Sequence, residues 1–160
     1  MLDGENMANI VSAAATAHLT VHGKGVVAES MYAKGKAFLG AAILLRQESG
    51  YEFVVLHLMC QGIEILLKGL LLVVDYDRYK PKLKTLGHNL VRIVEVASKA
   101  AGINPLRPHV QAELEKLNSL YSQHLLRYGS GYDILVDPRA IPSRRVLQRV
   151  PLSRTLCHKV

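Results

Sequence analysis

The segment from Phe53 to Val74 is the most restrictive feature of this 160-residue chain, because it is apolar except for one regularly spaced line of residues. The exceptions are His57, Gln61, Glu64 and Lys68, at steps of four, three and four. On a helix with 3.6 residues per turn, this spacing keeps all four on one narrow stripe. A helix that is apolar on every other side must be surrounded by lipid, by other helices or by a second copy of the chain.

The charges on this stripe argue against lipid. The segment is long enough to span a hydrocarbon core of roughly 30 Å. However, Glu64 and Lys68 lie near its middle, where each costs about 2.5–3.5 kcal/mol. They are four residues apart in the favourable order, so they can pair on the helix surface. We therefore expect no membrane span but the central helix of a soluble bundle, in which this pair fixes helix register.

Composition and cysteine usage favour one helical domain in a reducing compartment. The chain has no Trp and only two Phe, and it is large enough for a real core. Cys60 and Cys157 give no disulfide framework, and we expect both thiols to be inert. The N-terminus lacks the basic start of a secretory signal, so the sequence predicts a cytoplasmic protein.

The net charge of +7 is unevenly distributed along the chain. From Asp133 onward there are six basic and two acidic residues, so this tail carries +4 of the total. A basic tail on a modestly basic body is compatible with nucleic-acid or acidic-protein partners.

Four segments have helical periodicity, and the second is the apolar segment itself. The first runs from Glu29 to Gln47, the third follows a predicted N-cap at Asn89 and stops at Gly102, and the fourth follows a rigid loop at 104–108. The small or apolar positions that define the other three helices are Met31, Gly35, Phe38, Ala42, Leu45, Leu90, Ile93, Val94, Ala97, Val110, Leu114, Leu117 and Tyr121.

The predicted fold is all-α, an antiparallel up-and-down bundle of four to five helices. Residues 1–28 are predicted to be an N-terminal arm or weak helix, with a break at His22 to Gly25. The bundle occupies 29–132 and includes a polar linker at 75–87. Residues 133–160 form a basic tail interrupted by prolines.

Three short motifs resemble the HEPN superfamily of nucleotide- and RNA-associated helical bundles. The stretch from Cys60 to Leu72, with Glu64 and Lys68 four apart, resembles the family's second helix. Leu86-Gly-His-Asn-Leu90 is similar to the start of its next helix. Leu117-Asn-Ser-Leu-Tyr121, followed by Leu126-Arg-Tyr128, is similar to elements of one HEPN branch.

The resemblance implies a bundle that often dimerises and that takes part in RNA cleavage in toxin and antiviral systems, in nucleotide binding, or in partnership with nucleotidyltransferases. The ribonuclease branch carries Arg, four to six residues, then His. That motif is absent here: the first permitted position after Arg127 is Tyr132, and Arg154 is too close to His158.

Two groups of residues are candidates for binding. His124, Arg127 and Tyr128 would share a helical face with Tyr121 and could contact phosphate and base. Alternatively, Arg127 stabilises a helix C-terminus and Tyr128 packs inward. The basic residues Lys80, Lys82 and Lys84 are a second candidate, although such charges are usually only solvated. His88 is interpreted as an aid to helix initiation.

The sequence therefore favours an HEPN-like dimeric module that binds RNA, a nucleotide or a nucleotidyltransferase-like partner without catalysis of its own. One alternative is a divergent metal-independent ribonuclease that uses His124 and Arg127. Another is a purely structural homo-oligomer. No metal-ligand spacing or phosphate-cradling glycine loop is present, so no metal or cofactor is predicted.

Overall fold

The computed structural model describes residues 19–128, and this part of the chain is helical without strands. Its long helices are α1 (Val21–Gln47), α2 (Glu52–Val74), α3 (Leu90–Ala101) and α4 (Pro108–Ser122). Short helical turns cover Tyr76–Tyr79, Lys80–Lys82 and Leu83–Leu86 before α3, and Leu125–Tyr128 after α4. The all-α prediction is confirmed for these residues. The predictions for 1–18 and for the tail at 133–160 lie outside the described residues.

Helix α2 is the centre of the structure, and it contacts α1, α3, α4 and the turn that follows α4. Its length and composition would allow it to cross a membrane, with a mean hydropathy of 1.6, but 67 % of that span is buried by the rest of the chain. The side chains of Val55, Leu56 and Leu71 are completely covered. The apolar segment therefore serves as the core helix onto which the other helices pack.

Helices α1 and α2 approach each other at glycines. A methyl group added to Gly35 would lie 2.6 Å from the backbone nitrogen of Leu66, so the two backbones are in direct contact. The same kind of contact occurs at Gly62 and Gly69. The contacting pairs are Tyr32 with Gly69, Gly35 with Leu66, and Leu39 with Gly62. In these pairs, a higher residue number in α1 goes with a lower one in α2. The two helices therefore form a hairpin.

The predicted break at His22 to Gly25 is wrong, because α1 already begins at Val21 and crosses the boundary drawn at residue 28. Glycine costs about 1 kcal/mol in a helix interior. This cost is offset at the helix start, where the Thr20 side chain accepts a hydrogen bond from the Gly23 N–H at 3.1 Å. Lys24 adds an ion pair to Asp77 at 2.6 Å.

The predicted limits of α3 are confirmed by its caps. The Asn89 side chain accepts a hydrogen bond from the Arg92 N–H at 3.0 Å, and Gly102 closes the helix with a φ of 64°. The predicted apolar faces of α3 and α4 are both buried. Between α2 and α3, the predicted linker is a series of helical turns that bury Tyr79 and Leu86.

The fourth helix is shorter than the spacing of its C-terminal residues predicts. It ends at Ser122, and His124 adopts a left-handed conformation with a φ of 59° before the turn Leu125–Tyr128 begins. The premise that His124, Arg127 and Tyr121 share one continuous helical face is therefore wrong. A helix interrupted by a left-handed residue cannot keep the regular spacing of its side chains.

Candidate functional site

Glu64 is the one charged residue that is buried among residues 19–128, with 6 % of its surface exposed. Its Oε1 accepts a hydrogen bond from Lys68 Nζ at 2.7 Å. Its Oε2 accepts hydrogen bonds from Tyr121 Oη at 2.8 Å and from His88 Nδ1 at 2.9 Å. These partners come from α2, from α4 and from the residues just before α3. We call Glu64, Lys68, His88 and Tyr121 the carboxylate network.

The carboxylate of Glu64 stays ionised despite its burial. Burial alone would raise its pKa, but the hydrogen bonds from Lys68, His88 and Tyr121 and the charge of Lys68 outweigh that effect and hold the pKa below its ordinary value. The Lys68 side chain is itself only 11 % exposed, so the two charges form a shielded pair. A buried charge that is paired and hydrogen-bonded in this way avoids the penalty of an isolated one.

The neighbouring acidic groups stay protonated. Burial, then the hydrogen bond to Glu64 and its charge, raise the pKa of the Tyr121 phenol far above its ordinary value, so this hydroxyl is a hydrogen-bond donor. Burial and the charge of Glu64 likewise raise the pKa of the Cys60 thiol. Because the thiolate is the nucleophilic form of cysteine, Cys60 is an inert core residue.

The network also fixes the loop that carries His88. Lys68 Nζ donates a second hydrogen bond to the carbonyl oxygen of Gly87 at 2.6 Å. Gly87 has a φ of 54°, a backbone conformation that favours glycine. Asn118 lies on α4, and its Oδ1 accepts a hydrogen bond from the Leu90 N–H at 2.7 Å. This bond ties α4 to the start of α3. The loop is therefore held from two sides.

One nitrogen of His88 is oriented by the network and the other is left for solvent or a ligand. Glu64 can only accept hydrogen bonds while ionised, so the proton of the contact lies on His88 Nδ1 and Nε2 is the second ring nitrogen. The His88 side chain is 48 % exposed. Its ring meets the ring of Tyr121 edge-on, with centroids 6.0 Å apart. A half-exposed imidazole held by a buried carboxylate is a group suited to binding anions or moving protons.

His124 and Arg127 lie beside His88, although they follow a different helix. The rings of His88 and His124 meet edge-on with centroids 5.2 Å apart. The Arg127 N–H donates to the His124 carbonyl at 3.0 Å, so both residues belong to one turn. His124 and Arg127 are exposed. We call His88, His124 and Arg127 the cationic face.

His57 connects the cationic face to the stripe on α2. Its ring centroid lies 5.9 Å from that of Tyr121. Burial, followed by the charges of Arg127 and, more weakly, His124, lowers the pKa of His57, and a hydrogen bond with Gln61 partly opposes them. Its Nδ1 is buried without a hydrogen-bond partner in the described part of the chain. In the sequence, the polar stripe on α2 and the Arg127 region are two separate candidates. In the structure they belong to one site.

The other predicted binding residues are not drawn into this site. Lys80, Lys82 and Lys84 are exposed on the turns between α2 and α3, and Lys82 Nζ lies 5.7 Å from the centroid of the Tyr79 ring. Within residues 19–128, no hydrogen bond or ion pair joins these lysines to the carboxylate network. The side chain of Tyr128 lies outside the described part of the structure.

The sequence interpretation missed the roles of His88 and Asn118. The sequence alone indicates an aid to helix initiation at His88 and places Asn118 only within a motif. The signal that could have found them is the order of the three motifs, because each one contributes a side chain to the same group of contacts. Glu64 and Lys68 come from the first motif, His88 from the second, and Asn118 and Tyr121 from the third.

One groove in residues 19–128 lies away from these polar groups. A groove of about 380 Å³ lies between α3 and α4 near Ser98 and Leu106, but it shares no residue with the carboxylate network. No group of three or more His, Cys, Asp or Glu residues in this range is placed to hold a metal ion. The chain matches no protein-family model, and no curated protein or solved structure is significantly similar to it.

Proposed function

We propose that the chain is an HEPN-like helical module, an antiparallel up-and-down bundle, that binds RNA or a nucleotide through the cationic face without catalysis of its own. The observation that carries this proposal is the convergence of His88 and His124, with ring centroids 5.2 Å apart, beside Arg127. Arginine is always charged and matches phosphate geometry, and an imidazole N–H can donate a hydrogen bond to a phosphate oxygen. An exposed group of this kind attracts phosphate.

The family part of the proposal is supported by how the three motifs fit together. In an unrelated helical bundle, nothing would require the Glu64–Lys68 pair, the loop at 86–90 and the 117–121 segment to meet. Here they are joined by the hydrogen bonds from His88 and Tyr121 to Glu64 and from Leu90 to Asn118. A shared polar network is a reason for the motifs to occur together.

We further propose that the module is a homodimer or pairs with a nucleotidyltransferase-like protein. The support is apolar surface on the α1–α2 hairpin that the described part of the chain does not cover. Apolar side chains that stay exposed on a helix pair are a feature of interaction sites. The exposed large apolar residues are Val21, Val26, Ile43, Leu44, Tyr51, Val54, Val73 and Val74.

Binding of a fluorescently labelled single-stranded RNA, measured by anisotropy in low salt, tests this function. We expect Arg127→Ala to weaken binding about five- to tenfold, because phosphate contacts dominate such affinity. Arg107→Ala is the matched control, since it removes the same charge from an exposed position at the opposite end of α4. Equal losses in both variants would overturn the assignment of binding to the cationic face. No binding of RNA or nucleotides by the parent protein would overturn the proposal and favour a purely structural oligomer.

Metal-independent RNA cleavage is a second candidate, favoured by the two adjacent histidines. The sequence lacks the family's Arg–His motif, but His88 supplies an imidazole positioned by Glu64 next to His124. One imidazole would accept the proton of the ribose 2′-hydroxyl as its oxygen attacks phosphorus, and the other would protonate the leaving 5′ oxygen. Incubation with RNA in the presence of a chelator tests this, and cleavage that is lost in His124→Asn would replace the non-catalytic proposal.

A further inference from the structure

The cationic face is compact. His88 and His124 are in ring contact, and His124 and Arg127 belong to one turn. Proteins that follow a run of nucleotides use an extended basic groove with aromatic platforms for successive bases. The lysines at 80, 82 and 84 lie on the turns between α2 and α3, in a segment separate from the residues of this face. A patch of three residues suits a single phosphate group better than a run of nucleotides.

The outward nitrogen of His88 favours a phosphate that can share a proton. Nδ1 is committed to Glu64, which leaves Nε2 for a ligand. A phosphate monoester has a second ionisable oxygen, so it can become a dianion or keep one proton. A protonated Nε2 donates a hydrogen bond to a phosphate oxygen, and an unprotonated Nε2 accepts one from a phosphate that keeps its proton. A phosphodiester has no second proton and carries one charge less, so it gains less from two imidazoles.

The buried carboxylate beneath the face does not oppose a dianion. Glu64 is neutralised by Lys68 at 2.7 Å, and its Oε2 is occupied by Tyr121 and His88. Arg127 contributes a permanent charge whose influence reaches Tyr121 and His57. The face thus combines a permanent positive charge with two imidazoles above a neutral ion pair.

We propose that the cationic face recognises a terminal phosphomonoester, on an RNA end or a mononucleotide, in preference to an internal phosphodiester. This inference rests on the proposed function, since it assigns a ligand class to the same face. A terminal phosphate offers three free oxygens to His88, His124 and Arg127, whereas an internal one offers two.

The test compares four ligands by anisotropy or competition: one short RNA with a 5′-phosphate, the same RNA with a 3′-phosphate, the RNA without terminal phosphate, and adenosine monophosphate. We expect at least one phosphomonoester to bind about tenfold more tightly than the unphosphorylated RNA. The 5′, 3′ and mononucleotide ligands distinguish the sources of the phosphate. Equal affinity for RNA with and without terminal phosphate, with the mononucleotide no better, would overturn this inference but leave the RNA-binding function standing. Failure of every ligand to bind would overturn both.

Two variants locate the preference. His124→Asn removes an imidazole while keeping a residue that tolerates the left-handed backbone at this position. We expect it to abolish the tenfold preference, because the phosphorylated RNA loses more affinity than the unphosphorylated RNA. Arg107→Ala should keep the full preference. A preference that survives in His124→Asn, in protein with an unchanged melting temperature, would contradict the assignment to this face.

Discussion

The hydroxyl of Tyr121 donates a 2.8 Å hydrogen bond to Glu64, a residue 57 positions earlier in the chain. This bond joins the end of α4 to the middle of the central helix. It also places the ring of Tyr121 between His57 and His88, at centroid distances of 5.9 and 6.0 Å. The position of the cationic face therefore depends on a contact that lies beneath it.

Loss of the Tyr121 hydroxyl is expected to destabilise the protein. Tyr121→Phe removes a buried donor to an ionised carboxylate, and such bonds contribute about 1.5–3 kcal/mol to the free energy of unfolding. Urea unfolding monitored by circular dichroism measures this change. Tyr32→Phe is the control, because its ring is half-buried and lies 4.9 Å from Lys36 Nζ while its hydroxyl has no hydrogen bond within the described range. Similar effects in both variants would contradict the role of the Tyr121–Glu64 bond.

Removal of the Lys68 ammonium alone is expected to lower the free energy of unfolding more than removal of both charges of the Glu64–Lys68 pair. Lys68→Met leaves the buried Glu64 carboxylate without its counter-ion, which typically costs about 3–5 kcal/mol. The double variant Glu64→Gln with Lys68→Met removes both charges and should recover part of that loss. Measurement of the unfolding free energies of both variants at pH 7 tests the prediction. A double variant that is less stable than Lys68→Met alone would contradict it.

Stability is expected to fall as the solution is acidified. The folded-state pKa values of both His57 and Glu64 lie below their ordinary values of 6.5 and 4.5, so the unfolded chain binds more protons. The stabilisation from His57 is complete above pH 6.5 and decreases as the pH falls below that value. The stabilisation from Glu64 is complete above pH 4.5 and is lost as the pH falls through its folded-state pKa. Urea unfolding between pH 8 and pH 3.5 should show both phases, and Glu64→Gln should flatten the lower one. A stability that rises on acidification would contradict the signs of both shifts.

Two glycines of α1 are expected to respond oppositely to alanine. A methyl group at Gly35 would lie 2.6 Å from the Leu66 backbone, so Gly35→Ala forces the helices apart and should destabilise by about 1–3 kcal/mol. At Gly40 the same methyl group meets nothing within 4 Å, so Gly40→Ala should stabilise by about 0.5–1 kcal/mol. Thermal melts of the two variants test this difference in stability. Equal destabilisation of both variants would contradict the close contact of α1 with α2 at Gly35.

Much of the fold could be predicted from periodicity, because the apolar positions of α2, α3 and α4 repeat at helical spacing and their caps have strong local preferences. The start of α1 could not. Gly23 and Gly25 are poor helix formers, and the Lys24–Asp77 ion pair that helps to hold this end joins residues 53 positions apart. The left-handed conformation of His124 could not be predicted either, since no residue near it is a standard helix-stop signal.

The candidate site was predicted in separate pieces. Periodicity places Glu64 and Lys68 on one face of a helix, but it does not indicate that His88, which is 24 residues after Glu64, will donate to the same carboxylate. The convergence depends on how α3 and α4 pack on α2, and helical spacing alone contains no information about that packing. The order of the three motifs was the available signal, and its physical basis is this shared carboxylate.

Observation of the histidine side chains by NMR during titration with a short 5′- or 3′-phosphorylated RNA tests the assignment of phosphate binding to the cationic face. We predict that the imidazole signals of His88 and His124 shift together and saturate at the same RNA concentration. His109, at the opposite end of α4 from Tyr121, should not shift. A titration that leaves His88 and His124 unchanged, or that moves His109 equally, would contradict the assignment of RNA binding to the cationic face.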